Sequence, residues 1–152
     1  MGVITTTQGR EVPHCHMPQS PCKHIDFNAG ELADARAWMD RHFPDATELE
    51  PASRRFNCHG FAYARVHGGW FNRPTLFNED DYVEVQTPRK GDIVSYFNHR
   101  GRLAHSAVVE EITEGQITQL SSKWGEGPAV LHELLEVPSD YGQPKLIRRR
   151  KP

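Results

Sequence analysis

Long hydrophobic runs and an excess of one charge are both missing from this sequence of 152 residues. Without a run of about 18 apolar residues, no membrane-spanning helix is expected. The formal net charge is −2, which provides no general attraction to nucleic acid or to an anionic membrane surface. We therefore expect a protein that binds neither nucleic acid nor membrane. Its length suffices for one domain with a hydrophobic core.

Cysteine is scarce, and its number is odd. The three cysteines are Cys15, Cys22 and Cys58, and the polar segment Met1–Arg10 lacks the apolar core of a signal peptide. An odd count without a signal peptide argues against a disulfide framework, so at least one thiol should be free. We expect a cytoplasmic protein, or one exported by a route that needs no standard signal peptide.

The first 25 residues differ in composition from the rest of the chain. Residues 1–25 are polar and contain three prolines, which predicts an extended or loosely ordered arm. Residues 26–152 are then a single domain. The arm concentrates thiols and imidazoles that could hold zinc, but their spacing matches no common finger pattern, and no cofactor is predicted. The candidate ligands left open are His14, Cys15, His16, Cys22 and His24.

Two helices are predicted in the first half of the domain. The first runs from Ala29 to Phe43, with Asn28 as N-cap and Glu31 at the capping-box position. Its apolar residues recur at helical spacing, and a proline follows it. The second runs from Cys58 to Val66 and ends at a Gly-Gly pair.

The periodicity changes near residue 91, where short stretches rich in β-branched and aromatic residues alternate with turns. Helices followed by a meandering antiparallel sheet indicate an α+β domain. The helices are expected to pack on that sheet. The predicted strands are 93–97, 103–112, 117–124 and 129–134, with an edge strand at 146–148.

Cys58 is the residue whose setting points to chemistry. It follows Asn57, a plausible N-cap, and so lies at the start of the second predicted helix. The partial positive charge of a helix N-terminus lowers a thiol pKa, and a neighbouring imidazole lowers it further. A lone cysteine on a helix is more often a small buried hydrophobe, but this position favours a nucleophile.

His105 is the predicted partner of Cys58. Strand alternation places His105 on one face with Ala107 and Val109. A residue on the next strand should accept a hydrogen bond from the second ring nitrogen, and either Gln119 or Ser121 can serve. The oxyanion hole would combine the Cys58 amide with one further donor. The candidates for that donor are Asn57, Tyr96 and the Arg54-Arg55 pair.

The order of a cysteine on a helix, a histidine on a strand and a polar residue on the next strand resembles the papain-like fold, in outline the NlpC/P60 and CHAP hydrolases. Those families have a Gly-Asp-Ile/Leu-Val strand opening before a His-x-Ala/Gly-Val-Val strand. Here these motifs are residues 91–94 and 105–109. The chain also resembles a bacterial group marked by Asn-Cys-His-Gly-Phe/Trp and Ser-Lys-Trp-Gly, at 57–61 and 122–125.

The resemblance, which covers residues 30–148, implies a cysteine hydrolase, an amidase or peptidase, with Cys58, His105 and Ser121 as catalytic residues. Such families place Glu, Asn or His where Ser121 stands, so this chain departs from the pattern there. The implied substrate is a peptide or peptidoglycan-like amide, and some relatives are bacterial toxins or effectors, for which an inhibitory protein partner is expected. Transglutaminase or deamidase chemistry with the same dyad, and a non-catalytic zinc-stabilised binding module, are the alternatives.

Overall fold

The computed structural model describes residues 4–13, 26–63, 70–71 and 74–152. Seven strands in these ranges form one sheet, in which every recorded pairing is antiparallel. Helices are few and short apart from the first. A mixed α and β domain with an antiparallel sheet is therefore confirmed.

The spatial order of the strands differs from their order in the chain. Across the sheet the order is β1-β6-β5-β4-β3-β7-β2, so β3 to β6 form a meander and the other three strands are added at its two sides. The bounds are β1 Thr47–Glu50, β2 Tyr82–Val85, β3 Ile93–Phe97, β4 Leu103–Thr113, β5 Gln116–Lys123, β6 Ala129–His132 and β7 Gln143–Arg150.

The first predicted helix is confirmed together with its cap. Asn28 accepts a hydrogen bond from the Glu31 amide, and the Glu31 carboxylate accepts one from the Asn28 amide. No helix in the described ranges has the length and apolar character to cross a membrane. The bounds are α1 Ala29–His42, α2 Cys58–Tyr63 and α3 Thr75–Asp80, with a 3₁₀ helix at Ser139–Tyr141. The predicted end of the second helix at Val66 lies outside the described residues.

The last strand is internal, which corrects the predicted edge strand at 146–148. β7 pairs with β3 on one side and with β2 on the other. It is also longer than predicted. Near its end Arg149 makes a two-pronged ion pair with the buried Asp92, with Nε–Oδ1 at 2.9 Å and Nη2–Oδ2 at 2.8 Å. Such paired contacts are directional and hold the strand in register.

The prediction of an extended arm over residues 1–25 does not hold for residues 4–13. A β-bridge joins Thr5 to Glu11. Ile4 and Val12 are buried in one cluster with Phe71 and Phe77. Burial of these apolar side chains fixes the segment to the domain. Residues 14–25, with all five candidate zinc ligands, lie outside the described residues.

The sheet has two covered faces, which we name after the helix on each. On the α1 face, Tyr96, Ala107 and Leu120 form one core cluster, and Val130 packs with Met39 of α1. On the α2 face, His59 and Tyr63 of α2 reach Ser106, and the Lys123 ammonium lies over the Phe56 ring. Covering both faces buries residues 105–109 of β4, of which the predicted histidine is the first.

Candidate active site

Asn57 anchors the start of α2, as the cap prediction requires. Its Oδ1 accepts from the Gly60 amide at 2.9 Å and from the Phe71 amide at 3.2 Å. Its Nδ2 donates to the Phe71 carbonyl at 2.7 Å. One buried side chain thus caps the helix and ties it to a distant segment, which fixes the backbone that carries Cys58.

The Cys58 thiol lies against the backbone of β4. Its residue is 5% exposed, and the Ser106 amide hydrogen-bonds the sulfur. Burial raises the pKa of this thiol to about 11, because the thiolate loses its hydration. The amides of Ser106, His59 and Cys58 and the charge of Lys123 act in the opposite direction. The expected lowering by the helix terminus is therefore outweighed by desolvation.

His105 is completely buried on the α1 face. Its ring lies between Tyr96, with centroids 5.3 Å apart and planes at 65°, and Tyr141, with centroids 4.0 Å apart and planes at 2°. Burial holds the pKa of His105 well below its ordinary value, and the nearby His132 and His59 lower it further. The imidazole is therefore neutral at physiological pH.

Neither ring nitrogen of His105 has a hydrogen-bond partner among the described residues. Buried polar atoms in native proteins are almost always hydrogen-bonded, and an unpaired one costs about 1–3 kcal/mol. A histidine kept for structure would be expected to have its nitrogens satisfied. The unpaired ring is thus an exception that points to a role other than packing.

Cys58 and His105 adjoin the same stretch of β4 from different faces of the sheet, since α2 contacts Ser106 on the α2 face and the His105 ring packs on the α1 face. The amide that contacts the Cys58 sulfur belongs to Ser106, the residue that follows His105 in the chain. Because the ring nitrogens of His105 are unpaired within the described ranges, the thiol and imidazole are not hydrogen-bonded in this conformation. Both groups are uncharged at neutral pH.

The structure does not place Ser121 at the orienting position. Ser121 pairs with Val108 across the ladder, so it lies on the face opposite to that of His105. Its hydroxyl donates to Glu110 Oε1 at 3.1 Å on the α2 face. The prediction failed because alternation within β5 is readable from the sequence, while the register of β5 against β4 is not.

Gln119, the second candidate for this role, is too far along the sheet. It pairs with Glu111, six residues beyond His105. At a rise of about 3.4 Å per residue, this separation is about 20 Å. No glutamine side chain spans that distance, so neither predicted orienting residue reaches the imidazole.

Ser122 and His132 occupy the α1 face near His105 instead. Ser122 Oγ lies 2.7 Å from His132 Nε2 and accepts from Trp124 Nε1 at 3.0 Å. His132 Nδ1 donates to the Glu133 carbonyl at 2.6 Å, so Nε2 accepts the Ser122 proton. Sequence reasoning missed this pair as part of the site, since only the pairing of Leu120 with His132 reveals which face it occupies.

The side chains predicted as oxyanion donors are engaged elsewhere. The Tyr96 hydroxyl donates to the Leu134 carbonyl at 2.6 Å, and Asn57 binds Phe71 and Gly60 as described above. Arg54 pairs with Glu31 and Glu126, and Arg55 pairs with Asp26. The donors at the thiol are therefore backbone amides, that of Ser106 on β4 and those of His59 and Cys58 at the start of α2.

A groove of about 400 Å³ runs beside α2 on the α2 face. Gly60, two residues after the thiol, forms part of its wall. The rings of Phe56 and Phe61 stack with centroids 6.4 Å apart. The groove combines apolar and acidic side chains, as a site for a peptide segment would. Besides Gly60, its lining comprises Leu49, Glu50, Phe56, Phe61, Glu110 and Ser121.

Comparisons of this chain with protein-family models, with curated proteins and with solved structures find no match. Within the described ranges, no three Cys, His, Asp or Glu side chains gather as metal ligands would.

Proposed function

We propose that this protein is a cysteine hydrolase of papain-like type, an amidase or peptidase, with Cys58 as nucleophile and His105 as general base and acid. The observation that carries the proposal is the unpaired, buried imidazole of His105. His105 is followed in the chain by Ser106, whose amide contacts the Cys58 sulfur. A buried base without a partner, on the strand whose backbone contacts the buried thiol, is suited to accept the proton of that thiol.

The reaction proceeds in two halves. His105 takes the Cys58 proton as the sulfur attacks the substrate carbonyl carbon, and the C–S bond forms to give a tetrahedral oxyanion. Collapse of this intermediate breaks the C–N bond, and His105 returns the proton to the leaving amine. Water then gives a proton to His105 and attacks the thioester carbonyl. The C–S bond breaks, the acid is released, and His105 returns the proton to the sulfur to restore the Cys58 thiol.

The state of the resting pair determines how this first step occurs. With a thiol pKa of about 11 and a neutral His105, the pair rests as thiol and imidazole rather than as thiolate and imidazolium. Proton transfer therefore accompanies the attack of sulfur on carbon. Amides of α2, at the sulfur, supply hydrogen bonds to the developing negative charge.

A peptide-like substrate suits the groove beside α2. The stacked rings of Phe56 and Phe61 provide an apolar surface, and Glu50 and Glu110 provide carboxylates. Peptides of bacterial cell walls, and other peptides with aliphatic and amino groups, combine these features. This substrate class agrees with the resemblance to NlpC/P60 and CHAP hydrolases, some of which act as toxins or effectors.

The test is selective labelling of Cys58 with an iodoacetamide probe, read by mass spectrometry at each cysteine of the full chain. We expect labelling at Cys58 to fall by about 100-fold in His105→Ala, the lower end of a general-base contribution. The matched control is His99→Ala, an exposed histidine, which should label like the wild type. Labelling that is unchanged in His105→Ala would contradict the assignment of the base.

A non-catalytic binding module is the second candidate, and the burial of Cys58 and His105 favours it. Wild-type function that survives Cys58→Ala would support this candidate over the enzyme. If Cys58 is required and the products contain a new amide instead of an acid, the same dyad acts as a transglutaminase. A glutamine substrate that yields glutamate identifies a deamidase.

A further inference from the structure

Lys123 is a fully buried lysine at the end of β5. Lysine is almost never buried completely unless its ammonium is paired. Here Nζ donates to the Ser53 carbonyl at 2.6 Å and to the Gly125 carbonyl at 2.7 Å. It also lies 5.1 Å from the centroid of the Phe56 ring, within the range of a cation–π contact.

These contacts attach Lys123 to the segment that leads into α2. Ser53 and Phe56 precede Cys58 by five and two residues. Asn57 holds the same segment from the other side through Phe71. The ammonium of Lys123 therefore fixes the approach of the chain to the nucleophile, and its contacts are too specific for a solvated side chain.

The ammonium is also a charge near the thiol. Burial lowers the pKa of Lys123 to about 8, while Cys58 and the carboxylates of Asp26, Glu126 and Glu50 favour the charged form. Lys123 is therefore mostly protonated at pH 7. The interaction is mutual, since the charge of Lys123 lowers the pKa of the Cys58 thiol.

We propose that Lys123 is a positioning residue for Cys58: its ammonium fastens the segment before α2 and places near the sulfur a positive charge that stabilises the thiolate. The inference rests on the proposed function only in taking Cys58 as the nucleophile. It adds a cation on β5, the strand that was expected to orient the imidazole through the Gln119 amide or the Ser121 hydroxyl.

The charge acts together with other titratable groups around Cys58. His59 lies on the same helix and bonds Ser106, and Tyr141 interacts electrostatically with the thiol from the α1 face. Burial lowers the pKa of His59 to about 4 and raises that of Tyr141. Both are neutral between pH 6 and pH 9, so Lys123 is the group in this set whose charge changes near pH 8.

The experiment measures the rate of Cys58 alkylation by iodoacetamide against pH, in the full chain with Cys15→Ser and Cys22→Ser. Because one pKa unit corresponds to a tenfold change in thiolate, we expect Lys123→Met and Lys123→Gln to react about 3- to 10-fold more slowly at pH 8. The rate at the high-pH plateau should not change. Lys123→Arg should stay within about twofold of the parent protein, and Lys90→Met, at an exposed lysine, should match it.

A loss of rate that is equal at every pH, or an unchanged profile in Lys123→Met, would overturn the proposal, since a purely structural lysine does not shift a thiol pKa. If Lys123→Met and Lys123→Gln fail to fold, the coupling is measured in the parent protein instead. We expect a higher Lys123 pKa, measured by NMR on ¹³C-lysine, when Cys58 carries the anionic adduct of iodoacetate than when it carries the neutral adduct of iodoacetamide. Equal values in the two adducts would also overturn it.

This result is separable from the proposed function. If Cys58→Ala retains wild-type function, the hydrolase is excluded, while the coupling of Lys123 to the thiol is still measured by alkylation. If Cys58 and His105 are required for activity and the pH profile of alkylation is the same without the Lys123 charge, only the inference about Lys123 fails.

Discussion

The phenol ring of Tyr141 lies parallel to the imidazole of His105, with 4.0 Å between the ring centroids and 2° between the planes. The next residue, Gly142, has a φ of 78°, and a β-carbon there would collide with the Phe97 carbonyl. The backbone that places Tyr141 over the imidazole therefore depends on glycine. In this way the 3₁₀ helix covers the proposed base.

Removing the Tyr141 ring should expose the imidazole. We expect Tyr141→Ala to raise the His105 pKa towards 6.5, since burial is the main cause of its depression. Tyr141→Phe keeps the stacked ring and should leave that pKa unchanged. NMR titration of the His105 ring protons measures both variants. If the His105 pKa in Tyr141→Ala is as low as in the parent protein, groups other than Tyr141 exclude water from the imidazole.

The buried histidines predict a loss of stability in mild acid. Burial lowers the pKa of His59 and of His132 to about 4, and that of His105 well below its ordinary value. In the unfolded chain these histidines have the ordinary pKa near 6.5, so the unfolded chain binds more protons than the folded chain below that pH. The free energy of unfolding therefore has its full value above about pH 6.5, and it falls as the pH decreases towards 4.

The expected size of this effect is roughly 2 kcal/mol for His59 and for His132 by pH 5, from the linkage of proton binding to folding. Urea unfolding at pH 7.5 and pH 5 measures it. His132→Gln should flatten the pH dependence, while His99→Gln, at an exposed position, should not. An unfolding free energy that is constant over this range would contradict the burial of neutral imidazoles.

Ser121→Ala is expected to leave His105-dependent labelling of Cys58 within about twofold of the parent protein. Its hydroxyl bonds Glu110 on the α2 face and does not reach the imidazole. Removing a part-buried hydrogen bond of this kind costs about 1 kcal/mol of stability. Iodoacetamide labelling and urea unfolding give the two readouts. A tenfold loss of labelling with unchanged stability would restore Ser121 as the orienting residue.

Asn57→Ala is expected to destabilise the protein by about 1–3 kcal/mol, because it removes a helix cap and two hydrogen bonds to the buried backbone of Phe71. Asn28→Ala, at the exposed cap of α1, is the comparison and should cost about 1 kcal/mol. Urea unfolding of both variants measures whether Asn57→Ala loses more unfolding free energy than Asn28→Ala. Labelling of Cys58 should also lose its selectivity in Asn57→Ala, since the same side chain positions α2.

Local signals were sufficient for the elements that carry strong patterns. The Asn28 and Glu31 capping box fixed the start of α1, and β-branched runs located β3 and β4 to within a residue. β1 was missed because Thr47–Glu50 is exposed at every position and has Leu49 as its one apolar residue, so it has no alternation to detect. Its strand state comes from pairing with β6.

The sequence by itself determined the order of helices and strands, the free thiol at the start of α2 and the histidine on β4. These features depend on caps, turns and alternation, which act over a few residues. Only the tertiary structure decided what surrounds them. Burial, from elements distant in the chain, reversed the expected pKa of Cys58, and strand register placed Ser121 away from His105 and brought Ser122 and His132 to its face of the sheet.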